Sequence, residues 1–436
     1  MTKTLNYTTA REAVNLIPDN ATIIIQGSTS VPTVLLDALT ERAREGGVHG
    51  LHLIAGFGVL PNQAPWATED LMHAMHAETI FVPNWLRDAQ RAGVADTIPC
   101  FLGEVPGLFR DGTVPVDVTL LNVSEPDADG FCSFGISADI AFSGQECSRI
   151  ILAQVNKYMP RTFGDPVIHV SRITAAVRAD VPLVEVPTPT ITPDDRKIGQ
   201  FIAEQIPDGA CLQIGVGGIP NAVLDALHSH QHLGLHTEAI TDGVLPLIQE
   251  GIIDNSEKTI LPGKTVGSLV LGSRALYDHL DNNPDFVIKD VAWTNDPRII
   301  SQNRRAMAIN SAVEVDLTGQ ICADSIGDTI ISGVGGQHDF MYGASLSEGG
   351  KCFIALPSRT AKGRSKIVPR LAPGAGVVTT RFQAQYIVTE WGIAYLRGKT
   401  TAARAKELIR IAHPDDRETL ERSAFERFGP GFLYVK

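Results

Sequence analysis

Two stretches of this chain repeat one another, Ile17-PDNATIIIQGSTSVPTVLLDA-Leu39 and Ile206-PDGACLQIGVGGIPNAVLDA-Leu227, and they differ by one gap. Each reads as a turn, a short apolar strand, a loop of small residues, and a helix with proline near its first turn and leucine at helical spacing. An apolar pattern alone is easily shared by two βα units. A shared Ile-Pro-Asp start, loop proline and Leu-Asp-Ala-Leu end is harder to obtain without duplication. The repeat therefore predicts two similar α/β domains, each a largely parallel or mixed sheet covered by helices.

The chain between the copies supports a boundary. Val181-PLVEVPTPTITPD-Asp195 carries Pro182, Pro187, Pro189 and Pro193, which neither continue a helix nor fit a central strand. The expected domains are 1–185 and 186–436. Val116–Val123, Arg149–Val155, Thr259–Leu261, Phe286–Ile288, Lys351–Leu356 and Tyr386–Val388 read as strands, and Ala402–Arg410 as a helix stopped by His413-Pro414.

Composition narrows the class of partner. The chain has 436 residues, 44% of them hydrophobic, enough for substantial cores, and its formal charge of -12 disfavours general binding to nucleic acid or anionic membranes. A small-molecule partner is expected, with no nucleic acid and no membrane. The six cysteines are scattered without a C-x-x-C pair, which fits a reducing compartment. The first residues lack an apolar leader, and no run approaches the roughly 20 apolar residues that span a bilayer. The cytoplasm is the expected location.

Several constellations are able to carry chemistry. Gln213-Ile-Gly-Val-Gly-Gly-Ile-Pro220 reads as a strand running into a glycine-rich turn and a helix starting at Pro220, so several N–H groups converge on one point. Such a point suits an anion or a developing oxyanion; the plain alternative is that the glycines only permit a tight turn. The spacing does not fit G-x-G-x-x-G. A second loop, Ser332-Gly-Val-Gly335-Gly336-Gln-His-Asp-Phe340, offers the same two readings. Between them, His236-Thr-Glu238-Ala-Ile-Thr-Asp-Gly243 puts a lone carboxylate in a short turn before the apolar helix Val244–Ile248. There Glu238 is either a nucleophile or a helix-cap carboxylate.

From Ser358 to Arg370 the chain reads SRTAKGRSKIVPR, five cations without an acid. The run either grips phosphates or is a solvated loop face. His228, His230, His232 and His236 belong to a polar connection, and no carboxylate or cysteine pattern completes a metal site. No G-x-S-x-G elbow occurs, and Gly27-Ser-Thr-Ser30 is the N-terminal counterpart of the glycine loop.

Together with Asn282-Asn-Pro284, Trp293-Thr-Asn-Asp-Pro-Arg298, Val315-Asp-Leu-Thr-Gly-Gln320 and Val388-Thr-Glu-x-Gly392, these strings resemble the acetyl-CoA hydrolase/transferase family over nearly the whole chain. Within it the likeness is to the 4-hydroxybutyrate and butyryl-CoA:acetate CoA-transferases. The resemblance implies a class I CoA-transferase, with two similar α/β domains, the active site between them, and a glutamate that becomes covalently linked to coenzyme A. Glu238 matches that glutamate. The same matching assigns CoA binding to Gln213, Ile214, Gly215, Val216, Gly217, Val313, Gly336 and Lys362, with Lys366 as the alternative to Lys362. It assigns the oxyanion hole to Val216, Gly217 and Gly336. No metal is implied.

The implied partners are an acyl-CoA and a small carboxylic acid, and the implied assembly is a homodimer or larger. The acid is of the 4-hydroxybutyrate, butyrate or acetate type, or a dicarboxylate such as itaconate or succinate. A dicarboxylate needs a cation for its distal end, and the sequence alone places none. The loops Gln26–Val31, Phe57–Asn62 and Glu104–Phe109 are expected to set this choice. Two rival readings use the same residues: an acyl-CoA hydrolase, and a non-catalytic CoA-ester-binding protein.

Overall fold

The computed structural model describes residues 5–60 and 62–435; the first four residues, read above for a leader, and Pro61 of the Phe57–Asn62 loop lie outside them. The chain forms two compact units. One runs to Pro187 and also takes Glu238–Asp242 and Lys264–Asn295; the other comprises Thr188–Thr237, Gly243–Gly263 and the chain from Asp296 onward.

The first unit is built on a seven-stranded sheet in the spatial order Ala175–Arg178, Ile150–Val155, Val118–Val123, Thr22–Ile25, Leu51–Ala55, Met75–Thr79 and Ala95–Thr97. Every pairing is parallel. The central strands are buried on both faces, with Ile23, Ile24, Leu120 and Leu121 fully covered. That is why they read as unbroken apolar runs rather than alternating ones. The three strands that follow Thr22–Ile25 in sequence lie to one side of it, and the chain then returns to pair Val118–Val123 on its other side. Such a switch point opens a crevice at the carboxyl ends of the strands.

The second unit repeats the plan. Its sheet runs Gly234–Leu235, Cys211–Ile214, Ala306–Ser311, Lys351–Ala355, Tyr386–Thr389 and Gly392–Tyr395, parallel except for the last pair. The switch point falls between Cys211–Ile214 and Ala306–Ser311, directly before the glycine loop. Its helix Pro193–Ala203 starts with a capping box, Thr192 and Asp195 satisfying each other's backbone N–H, with proline in the first turn. The proline-rich chain before Thr192 has neither helix nor strand from residue 179 on.

Both copies of the repeat form the expected strand, loop and helix: Thr22–Ile25 with Thr33–Arg44, and Cys211–Ile214 with Gly218–Asp225. The shared proline is not equivalent in the two. Pro32 is the N-cap of its helix, whereas Pro220 is already inside the first turn, where a missing N–H costs nothing.

Three readings differ from the structure. A single cut at 185/186 leaves Glu238–Asp242 and Lys264–Asn295 with the later part of the chain, but these segments pair with the earlier part. Ala239–Thr241 joins Leu269–Leu271, which bridges to Ser137, and Phe286–Ile288 joins Phe163–Gly164. Thr259–Leu261 is not a strand, and Leu261 has a left-handed φ of 49°. His413-Pro414 does end one helix, but it also starts the next, with the His413 side chain accepting from the Asp415 N–H. No helix among the described residues is long and apolar enough to cross a membrane.

Candidate active site

Glu238 lies in a bend between Gly234–Leu235 and Ala239–Thr241. Its carbonyl accepts the N–H groups of Ser268 at 2.9 Å and Leu269 at 3.0 Å. Its half-buried carboxylate accepts through Oε2 from Asn295 Nδ2 at 3.0 Å. The helix that follows, Val244–Gln249, has Gly243 as its N-cap, so Glu238 is not a cap. Asn295 ends the short helix Val291–Thr294. The N-cap of that helix, Asp290, accepts from Ala292 N–H at 3.1 Å and pairs with Arg110 at 2.6 Å. Asn295 belongs to one of the strings that carried the family resemblance, but its contact with Glu238 was not legible there.

A second carboxylate shares this neighbourhood and left no signal in the sequence. Asp139 is 2% exposed and has a left-handed φ of 31°. A Cβ added to Gly27 would collide with its carboxylate and with the Phe57 carbonyl, so only glycine lets the backbone come this close. Burial first, and the charge of Glu238 second, push the Asp139 carboxyl up to about 7, against hydrogen bonds from Ser137, Ala141 and Gly27.

In the second unit the expected CoA residues gather at the carboxyl edge of the sheet. Gly215–Gly217 follow Cys211–Ile214, Val313 follows Ala306–Ser311, and the Arg359–Lys366 loop follows Lys351–Ala355. The helix Gln337–Leu346 lies in the crossover from Ala306–Ser311 to Lys351–Ala355, which brings its N-cap Gly336 to the same edge. The members differ in what they present. The Gln213 amide is engaged by Asn310, accepting at 2.9 Å and donating at 3.3 Å. Ile214 N–H donates to Thr237 Oγ1 at 3.3 Å, and Gly215 N–H to the Ile309 carbonyl at 3.1 Å. Val216, by contrast, is 50% exposed. Val313 is half-buried and donates to the Cys322 carbonyl at 2.8 Å.

Gly217 stands at φ 141°, ψ -177° as N-cap of the helix Gly218–Asp225. Only Pro220 Cδ, at 3.7 Å, would touch a Cβ there, so space is available and the obstacle is backbone conformation. Gly217→Ala is expected to destabilise the protein by about 1–3 kcal/mol. Urea unfolding measures this, and an unchanged midpoint would show that the turn tolerates an L-residue.

The basic stretch is not free of acids in three dimensions. Arg359 forks onto Asp416 at 2.7 and 2.8 Å and reaches Asp415 at 3.2 Å. Lys366 is half-buried; burial lowers its pKa while the charges of Glu390 and Asp195 oppose the shift. Lys362 is exposed in the turn closed by Gly363 N–H on the Thr360 carbonyl. The histidines diverge: His228 meets Glu250, His232 meets Asp254, His230 faces the Ile206 carbonyl, and buried His236 faces Asn303. Among the described residues no group of three or more His, Cys, Asp or Glu is placed to hold a metal.

Comparison with known proteins agrees with this architecture. Residues 3–203 match the acetyl-CoA hydrolase/transferase N-terminal domain and residues 272–424 its C-terminal domain. The chain is 43% identical to the 4-hydroxybutyrate coenzyme A transferase of Clostridium kluyveri over 96% of its length and 97% of that protein's. It is 45% identical to the succinyl-CoA:acetate/propanoyl-CoA:succinate CoA transferase of Fasciola hepatica, covering 95% and 87% of the two chains. The crystal structure of 4-hydroxybutyrate CoA-transferase from Porphyromonas gingivalis superposes with a TM-score of 0.82 at 36% identity, over 97% of this chain and 98% of that one. The chain belongs to the acetyl-CoA hydrolase/transferase family.

Proposed function

We propose that Glu238 is the residue through which this CoA-transferase moves CoA between a short-chain acyl-CoA and a free carboxylate. The observation that carries the reading is the Asn295 hydrogen bond, which fixes one oxygen of the carboxylate and so its plane. A carboxylate oxygen attacks the thioester carbonyl; the tetrahedral oxyanion collapses, expelling CoA thiolate and leaving a mixed anhydride on Glu238. The thiolate then attacks the glutamyl carbonyl. The acyl group leaves as a free carboxylate, and Glu238 is left as its CoA thioester. A second carboxylate runs the same steps in reverse and leaves as the new acyl-CoA. Thioester free energy is kept throughout, and the scheme calls for no ATP or metal.

Each step passes through an oxyanion, for which Val216, Gly217 and Gly336 are the proposed donors, one good donor contributing roughly 3–4 kcal/mol. Gln213, Ile214, Gly215, Val216, Gly217, Val313, Gly336 and Lys362 are the proposed CoA-holding set. Exposed Val216 and Lys362 present side chains to a ligand, whereas Gln213, Ile214 and Gly215 mainly shape the loop. No disulfide joins the six cysteines, all of them among the described residues, which supports a cytoplasmic location.

Incubation with a short acyl-CoA followed by intact-mass analysis is expected to reveal a CoA-sized adduct, and peptide mapping to place it on Glu238. Acyl-CoA consumption is expected to rise at least tenfold when acetate is added. Equal rates with and without acetate would make the enzyme a hydrolase, and an adduct on another residue would remove Glu238 from the scheme.

A further inference from the structure

We propose that a cavity in the first unit is the acyl-chain pocket and that Arg87 at its wall selects acyl groups carrying a distal carboxylate, in the manner of a four- or five-carbon dicarboxylate. The proposal rests on Glu238 being the CoA-accepting residue and supplies the substrate class that sequence alone left open.

The cavity has a volume of about 470 Å³ and is walled by the loops that follow Leu51–Ala55 and Met75–Thr79, including Phe57, Asn62, Phe81, Asn84, Trp85 and Arg87. These are neighbouring parallel strands, so it opens at the carboxyl edge where α/β sheets bind ligands. Its lining also packs against the segment that carries Glu238. Phe57 and Val59 pack against Ala239 and Leu269. Ala239 is the residue after Glu238, and Leu269 donates its N–H to the Glu238 carbonyl. The Phe57 carbonyl and the Asp139 carboxylate both lie close against Gly27.

The frame is rigid. Trp85 Nε1 donates to the Gly58 carbonyl at 2.7 Å, Phe57 meets Phe81 edge to face at 5.2 Å between centroids, and Val59 N–H donates to the Ser28 carbonyl at 2.7 Å. A preformed pocket keeps its binding energy for the ligand.

The chemistry of the lining points to the ligand. Among its described residues Arg87 carries the only charge and none is acidic. Phe57, Val59 and Phe81 suit methylenes; the guanidinium suits an anion beyond them. Arg87 is half-buried. A guanidinium presents N–H donors in a rigid fork whose geometry matches a carboxylate. Asn62 and Asn84 add neutral donors to the lining. An unsubstituted butyryl chain, in contrast, would leave this cation facing a methyl group.

The test compares kcat/KM for succinyl-CoA and butyryl-CoA with acetate as acceptor, in the native enzyme, Arg87→Met and Arg87→Lys. The native enzyme is expected to favour succinyl-CoA. In Arg87→Met the succinyl-to-butyryl ratio is expected to fall about 10- to 100-fold, mainly through KM, with part of it restored in Arg87→Lys. A folding defect would lower both donors together and leave the ratio unchanged. A ratio within twofold of native in Arg87→Met, or a native enzyme that prefers butyryl-CoA, overturns the proposal. Free succinate is also expected to raise the Tm of the native protein more than butyrate does, and to lose that advantage in Arg87→Met. This second readout needs no transfer chemistry. If no donor leaves CoA on Glu238 while succinate still binds through Arg87, the catalytic reading fails and the pocket stands; if adducts form without any succinate preference, the reverse holds.

Discussion

Glu238→Gln is expected to lower kcat by about 10⁴-fold or more, and to abolish the CoA adduct. The substitution keeps the side-chain length and an oxygen able to accept from Asn295, so the local frame survives. What it removes is the nucleophile, and with it the route that splits one difficult exchange into two easier steps. Glu238→Asp adds a sharper test. It retains the carboxylate but withdraws it by one methylene, while the backbone stays pinned by Ser268 and Leu269. A displacement on the order of 1 Å from the attacking position costs about 100-fold, so Asp is expected to fall between Glu and Gln. Steady-state rates with acetyl-CoA and a second carboxylate decide the order. Turnover of Glu238→Gln within tenfold of native would mean that CoA is never carried at this position.

The elements that the sequence made legible are those whose signal is local. Thr22–Ile25 and Cys211–Ile214 are buried on both faces, and their strand character shows as apolar runs before small-residue loops. Thr192 and Pro193 form an equally local helix start, but the proline-rich run Val181–Asp195 hid it within the expected linker. Glu238 was found through its surrounding string and not through its environment. Asp139 and Arg87 were missed for one physical reason. Asp139 is a lone carboxylate whose buried surroundings come from Gly27 and Gly56, far away in sequence, and Arg87 faces a cavity half of whose wall is the loop after another strand. The acids around the basic stretch were hidden in the same way, because Asp415, Asp416 and Glu390 approach from later elements. The placement of Glu238–Asp242 in the first unit depends on a three-residue strand pairing with Leu269–Leu271, too short to carry a pattern.

Asp139→Asn is expected to change how stability depends on pH, and the direction follows from its surroundings. The folded protein holds the Asp139 proton up to about pH 7, whereas the unfolded chain releases it near 3.8. Between these values the native state binds more protons than the unfolded state, so stability falls as pH rises. The contribution is complete below about pH 4, is lost through about pH 7, and is flat above that. Its full size is on the order of 4 kcal/mol. Asparagine keeps the shape and has no proton to lose. The Tm of Asp139→Asn relative to native is therefore expected to climb from pH 5 to about pH 7 and then level off, and a constant difference from pH 5 to pH 7 would show that Asp139 does not titrate there. The charge of Glu238 supplies part of the upward shift. In Glu238→Gln that repulsion is gone, so the native-like fall in stability is expected to end at a lower pH than in the parent protein. Formation of the glutamyl-CoA thioester also neutralises Glu238, and by the same linkage it is expected to release a fraction of a proton from Asp139 near neutral pH, measurable with a pH indicator in weak buffer.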